Sequence, residues 1–452
     1  MNSSLGGAQE SAGFPVPTMA PTHAPSEDPV SCTHLFHAFF DRVLPLRCFA
    51  FIHKPSFLYA LDHGTLLQDY EEPLLHIMCA LGASNVDPGQ ALADKARDKV
   101  LGQLHNPSDL LLMTTVLLCE YAHRSGSFAM AFVLGGCMFR QLRLLGLDAL
   151  SDNANHELIE PEAESHLRLA WACYIADVFT GSGVDKNSSW RDETPNLPLP
   201  CAEGDYLSQS STRPLYLPYV LENPDIIRSL DAPALSVLLV HLRMRVLRLI
   251  RTPHPKSNLW DLSSPFMVIL QQLEQFHDNL PEKYALTELN IYIRKDQHSL
   301  GSLFALHLLY HAAVCDLTRI SLPGFSFPLA VAFWDAPPEF LLQCQKRSQF
   351  HAEEISRLVR QGKPHGRLAF DDPFAVDATF ESTKIQIIAS AIMPHTTEST
   401  VSTRNNVADN LQLLKFLGAG ASEPSPYIRA LLSLCMSFGF QEIAGEWQGP
   451  EA

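Results

Sequence analysis

The chain has 452 residues, 46% of them hydrophobic, and carries 33 lysines and arginines against 49 aspartates and glutamates, for a formal net charge of −16. Duplex DNA is held by basic patches that displace counterions from phosphates, so this balance argues against direct DNA contact. The apolar fraction is ample for a large core, and the length alone would permit about three domains.

Residues 1–30 are rich in Pro, Ser, Ala and Gly and poor in large apolar side chains. Such a stretch cannot bury enough surface to offset its chain entropy, which predicts a disordered N-terminal tail. It lacks a cationic region followed by an apolar block, so it is not a secretory signal, and the cysteines are expected to stay reduced. The closest of the ten cysteines, Cys32 and Cys48, are too far apart for a C-x2-C pair. A binuclear zinc cluster needs six thiolates in one short stretch, and the scattered cysteines read instead as small buried hydrophobes. No uninterrupted apolar run approaches the roughly 18 residues of a membrane span, the best covering residues 110–119. Lys346 and Arg347 stand alone, so no import signal is evident.

From Cys32 the texture is helical. Leu35, Phe36, Phe39, Phe40, Val43 and Leu44 follow the three-and-four spacing of one helix face. Pro55 breaks that helix, Pro73 suits the first turn of a second over 74–83, and residues 106–109 supply caps for a third. Over 128–147, Phe128, Phe132, Gly135, Phe139 and Leu142 form a stripe, ended by Gly146. Gly135 and Gly136 each cost about 1 kcal/mol relative to alanine, which predicts the close approach of a neighbouring helix. Further helices are predicted over 162–180, 234–251, 265–280, 297–320, 338–360, 380–392, 405–417 and 426–438, with long loops at 182–233 and 322–338. No alternation is long enough to build a sheet. The fold class is therefore all-α: a large single domain of antiparallel helix pairs over 31–440, followed by an acidic-aromatic C-terminal tail at 441–452.

The segments FAFIHKPSF from Phe49, PLLHIMCALGAS, RQLRLLGLD, HLRLAWACYIAD and PLPC at Pro198 occur in a telling order. In that order they resemble the middle homology region of fungal binuclear-zinc-cluster transcription factors, the all-helical fungal transcription factor domain. The resemblance covers most of residues 36–438 and is strongest over the first 170 of these. It singles out Phe51, His53, Pro55, Phe57, Glu164, Arg168, Trp171, Asp177, Pro198 and Pro200 as family-motif positions. Where the family usually carries a second arginine and a second tryptophan, this chain has Leu167 and Ala170, and Val178 follows the aspartate. A charge network there would lack half its usual cations.

The resemblance implies a nuclear transcription regulator without its own zinc cluster, of the kind that controls metabolic or secondary-metabolite gene clusters. Its expected partners are other transcription factors or coregulators, in a homo- or heterodimer. DNA would be reached through a partner or through an N-terminal module outside this sequence, and no membrane is involved. Two features could serve regulation: Arg245, Arg248 and Arg251 on one helix face, for an acidic effector or partner, and the segment bearing Phe438, Phe440 and Trp447, like a short acidic activation segment. Against these stand a solvated, carboxylate-paired face and the plain end of the last core helix.

An all-helical metal-dependent or ligand-binding enzyme of a biosynthetic pathway is the alternative. His307 and His311 lie four apart on one predicted helix, but no glutamate sits between them as in H-E-x-x-H, and no third ligand is identifiable. Asp371, Asp372 and Asp377 are similar to the acidic motifs of metal-dependent cyclases, yet Pro373 interrupts the spacing and helix capping explains them more simply. The reading assigns no catalytic residue, cofactor or metal.

Overall fold

A computed structural model describes residues 32–83, 86–148, 158–190, 194–253, 258–393, 397–418 and 425–447. The predicted tail at 1–30 and the last residues of the predicted C-terminal tail, 448–452, lie outside these.

In the first half the helices are α1 (Thr33–Arg42), α2 (Lys54–Asp62), α3 (Leu66–Asp69), α4 (Glu72–Gly82), α5 (Val86–Gln103), α6 (Asp109–Arg124), α7 (Phe128–Leu144), α8 (Pro161–Gly181), α9 (Glu203–Leu207) and α10 (Leu217–Glu222). The second half holds α11 (Ala232–Arg251), α12 (Pro265–Asp278), α13 (Glu288–Asp296), α14 (Leu300–Thr318), α15 (Pro338–Gly362), α16 (Phe374–Ile392), α17 (Thr397–Leu417), α18 (Pro426–Ser437) and α19 (Gln441–Glu446). The chain is all-α, and the described residues contain only two isolated bridges, Ile159 with Thr212 and Pro198 with Tyr216. Consecutive helices pack side by side, α4 with α5 and α6 with α7 across short connections, and α14 with α15 and then α16 across longer ones.

Helix starts follow local chemistry. Prolines occupy the first turn of α2, α4, α8, α10, α11, α12, α15 and α18, where their missing N–H is not needed. Ser108 Oγ accepts from Leu111 N at 3.1 Å, and Ser264 Oγ from Met267 N at 3.1 Å, capping α6 and α12. Pro55, expected only as a break, opens α2.

One apolar cluster runs from Cys32 to Leu413. A second joins Ile387 and Val407 to Ile428, Leu431, Phe440 and Ile443. At the centre of the first lies α14; the span Leu300–Ser321 is long and apolar enough to cross a membrane, with mean hydropathy 1.4, but 89% of it is buried among other helices. A helix apolar all round is the mark of such a central position.

Several expectations fail for physical reasons. The inward row of α7 is Ala131, Leu134, Met138 and Leu142, while Phe128 and Phe132 are 59% and 48% exposed. Gly135 is buried, but a Cβ there would meet nothing within 4 Å, so its missing side chain serves no close helix contact, and one at Gly136 would meet only Arg140. Close approach occurs instead at Gly82, against the backbone of Leu35 in α1, and at Gly89, against Ala80 in α4. The predicted loop at 182–233 contains α9 and α10 and is tied to α8 and its entry, as described next. The predicted tail boundary at 440 falls within structure: Phe440 is buried, and α19 packs on the second cluster.

Candidate functional site

Spacings of four and three place Glu164, Arg168 and Trp171 on one face of α8. Arg168 is fully buried there. Its Nε donates to Glu164 Oε1 at 2.8 Å, one terminal nitrogen to Glu203 Oε2 at 2.5 Å, and the other to the Cys201 carbonyl at 3.0 Å. The guanidinium stacks over Tyr206 at 4.0 Å. Cys201 N–H in turn donates to Glu164 Oε1 at 2.9 Å, and Trp171 Nε1 to the Pro198 carbonyl at 2.6 Å. The face thus grips the extended PLPC segment by its backbone, with Pro198 and Pro200 buried beneath it. Only a planar, always-charged fork serves all these acceptors at once. The charge network expected to be weakened is present, though Glu164 Oε2 is buried without a partner and Leu167 offers it no donor.

The FAFIH segment meets the same place from the other side. Tyr206 Oη donates to the Phe51 carbonyl at 3.2 Å, and Arg168 reaches the Ala50 carbonyl at 3.4 Å. His53 Nδ1 accepts from Ser56 N at 3.4 Å, capping α2, while Nε2 donates to the Leu207 carbonyl at 3.2 Å. Phe57 is buried edge-on to Phe36 and Phe40. Asp177 does not join this cluster: it accepts from Ser188 Oγ at 2.8 Å and Ser189 N at 2.9 Å, holding the turn after α8. Burial, then Glu164, pushes the Cys201 thiol up to about 12, so it is no nucleophile at neutral pH.

Sequence reasoning missed a second network. Arg47 and Cys48 both have positive φ, 46° and 62°, and this bend turns the Arg47 guanidinium inward. It binds Asp372 through both nitrogens of its fork, with Nε to Oδ2 at 2.9 Å, and reaches Glu120 at 3.3 Å. Arg124 holds the other Glu120 oxygen at 2.8 Å, and Arg42 holds Asp371 at 3.0 Å. Three cations and three anions therefore balance in one buried patch. Burial raises the Asp371 carboxyl, but Arg124 and Arg42 outweigh it and leave it below its ordinary value. Asp372 Oδ1 also accepts from Phe374 N at 2.8 Å, the capping role expected of this acidic run, and Asp377 accepts from Tyr427 Oη at 3.1 Å.

The three arginines of α11 diverge. Arg245 donates to Gln272 at 2.5 Å, Arg248 pairs with Asp185 at 3.4 Å, and Arg251 lies over the Phe327 ring at 5.4 Å. His307 and His311 are likewise engaged apart. His307 Nε2 donates to the Tyr284 carbonyl at 2.8 Å, and His311 Nδ1 faces His351 Nδ1 at 2.9 Å. Burial pushes His307 down to about 4 and His351 to about 3. Among the described residues no group of three His, Cys, Asp or Glu side chains could hold a metal. In the C-terminal segment Phe438 is 39% exposed, Phe440 is core, and Trp447 is half-buried with Lys415 Nζ 5.3 Å from its ring.

Comparison with known proteins places this arrangement. Residues 36–238 match the family model described as the fungal specific transcription factor domain. The chain is similar, at 23% identity over 416 residues and 84% of its length, to the Zn(2)-C6 fungal-type transcription factor FTF1c of Fusarium oxysporum f. sp. lycopersici, of which it covers 43%. Factor FTF2 of the same fungus is 23% identical over 78% of this chain and 35% of its own length. An uncharacterized transcriptional regulatory protein of Schizosaccharomyces pombe is 29% identical over 35% of this chain and 28% of its own. The chain spans about two fifths of the length of the Fusarium relatives it matches. No solved structure matches. The matched segment contains the whole Arg168 anchor, from the FAFIH turn through α8 to PLPC, and over that segment the chain is similar to the fungal specific transcription factor domain.

Proposed function

We propose that this chain is a non-enzymatic transcription regulator that works in the nucleus through a DNA-bound partner, controlling a metabolic or secondary-metabolite gene set. The observation that carries the reading is the family match over residues 36–238, together with the named transcription factors similar to most of the chain. Its net charge of −16 favours recruitment over direct binding to phosphates. The buried polar groups support the same side of the question: Arg168, Arg47 and the histidines are spent on backbone and side-chain partners that hold helices together. The cavity beside Leu238 and Gln272 measures about 10 Å³ and that beside Arg47 and Phe374 about 20 Å³, room for about one water each and too little for an enclosed effector at either place. Arg245, Arg248 and Arg251 are proposed to meet an acidic effector or partner only by exchanging their present contacts with Gln272, Asp185 and Phe327, and Phe438 with Trp447 is the proposed contact for a coactivator.

Chromatin immunoprecipitation of an epitope-tagged chain in its native host tests this reading. Enrichment at a small set of discrete promoters is expected. Absence of enrichment anywhere, with the protein expressed and intact, would remove the proposal.

A further inference from the structure

Trp334 is 82% exposed, Leu262 81% and Val331 51%, in a protein that buries most of its large apolar side chains. These residues are not on loose ends. The turn Pro328–Phe333 delivers Val331 and ends at Trp334. Phe333, itself buried, stacks on Phe340 at 5.8 Å, Phe340 meets Trp260 at 6.3 Å, and Phe266 packs against both Phe333 and Phe340. This aromatic stack fixes the segment around Leu262 and the segment around Trp334 as neighbours on one base. A tryptophan held out in water on a fixed backbone gains little for the fold, and tryptophan is one of the residues enriched as anchors of protein interfaces.

Among the described residues, those that flank Leu262 and Trp334 in sequence, 258–264 and 328–340, carry acidic side chains and no cation. Asp261, Asp335 and Glu339 are all exposed, and none makes an ion pair or side-chain hydrogen bond among the described residues. The nearest cations on α15 are Lys346 and Arg347, two turns on, and Arg347 is already paired with Glu274 at 2.9 Å. By contrast, the exposed apolar face of α7, with Phe132, Val133 and Leu144, is flanked by Arg140 and Arg143. A second copy docking through the Trp334 face would set these carboxylates against their own equivalents, because a two-fold interface is self-opposed.

We propose that the Trp334 face docks a partner segment that is apolar on one side and basic on the other, a lysine- or arginine-bearing amphipathic helix. Trp334, Leu262 and Val331 cover its apolar side, and Asp261, Asp335 and Glu339 meet its cations. The inference goes beyond the transcriptional reading and does not depend on it.

The test uses the full chain and two synthetic amphipathic peptides with the same leucine pattern, one carrying lysine and the other glutamate at every polar position, titrated by calorimetry. The lysine peptide is expected to bind saturably at one site. Trp334→Ala is expected to weaken it by about tenfold or more, the loss typical of a central aromatic anchor. The pair Asp335→Asn with Glu339→Gln, and added salt, should weaken it as well, whereas Leu144→Ala should leave it unchanged. Equal binding of the glutamate peptide overturns the proposal. So does undiminished lysine-peptide binding by the Trp334→Ala chain, which would reduce the effect to general attraction by a net charge of −16, and so does no binding at all. Self-association in sedimentation velocity that vanishes in Trp334→Ala would assign the face to a second copy and equally overturn it.

Discussion

Arg47 and Asp372, 325 residues apart in sequence, form a two-pronged ion pair with Nε to Oδ2 at 2.9 Å, and both side chains are nearly inaccessible. The pair fastens the turn before the FAFIH segment to the start of α16. It thereby joins the part of the chain matched by the family domain, residues 36–238, to the part beyond it. Removing one member of a buried pair leaves the other charged and desolvated. Arg47→Ala is therefore expected to cost about 3–5 kcal/mol of unfolding free energy, and the double variant with Asp372→Ala less than the sum of the singles. Urea denaturation of the four proteins of that cycle measures both.

Arg168 makes the same kind of prediction with a sharper control. Lysine keeps the charge but cannot donate to Glu164, Glu203 and the Cys201 carbonyl together. Arg168→Lys should lose at least about 2 kcal/mol, a substantial part of the roughly 3–5 kcal/mol expected for Arg168→Ala. A lysine variant as stable as the parent would show that charge alone holds the PLPC segment.

Two glycines separate the role expected from the sequence from the one the fold assigns. Gly135→Ala places its Cβ in open space within α7 and should stabilise the chain by up to about 1 kcal/mol through helix propensity. Gly82→Ala drives a Cβ into the Leu35 backbone, which no rotamer change can relieve. It should destabilise by about 3 kcal/mol or more, at the top of the range for overpacking. Thermal unfolding of the two variants is expected to shift in opposite directions.

The buried histidines predict a pH dependence with a definite sign. Burial, followed by Arg245, lowers His241 to about 3; burial, followed by Arg347, lowers His351 to about 3; and His307 sits near 4. Each is neutral when folded but binds a proton in the unfolded chain below about pH 6.5, so unfolding takes up protons. Stability is full above that pH and falls as the pH drops from about 6.5 toward 4, by about 1.4 kcal/mol per pH unit for each such group. Chemical denaturation at pH 7.5, 6.0 and 5.0 measures the slope, and His307→Gln should make it shallower.

Phe438 and Phe440 decide the nature of the C-terminal segment. Phe440 lies in the second apolar cluster with Leu431 and Ile443, whereas Phe438 is 39% exposed. Phe440→Ala should cost about 3–5 kcal/mol, and Phe438→Ala within about 1 kcal/mol. Equal small losses would mean that the segment is an appendage.

What the sequence disclosed depended on how far apart the interacting residues lie. Glu164, Arg168 and Trp171 fall on one face by helix spacing alone, whereas the resemblance named Pro198 and Pro200 as motif positions without saying what they touch. Arg47 carried no such signal: a single arginine in LPLRCFAF becomes meaningful only when Asp372, Glu120 and the left-handed bend at Arg47 and Cys48 are seen together. Pro55 was read as the break after the first helix, but α1 already ends at Arg42 and the proline marks the start of α2, since proline is disfavoured inside a helix and favoured in its first turn. The polar helix α5 gave little apolar rhythm to read, and the value of Gly135 could not be judged without knowing that a Cβ there would touch nothing.

The central claim is that this helical chain alters transcription once it is brought to DNA. Fusion of the full chain to a heterologous DNA-binding domain upstream of a reporter tests it most directly, with Arg168→Ala at matched abundance as the control for an intact fold. The account predicts a change in reporter output, up or down, that the Arg168→Ala fusion loses. Unaltered output from an expressed, folded and nuclear fusion would contradict it.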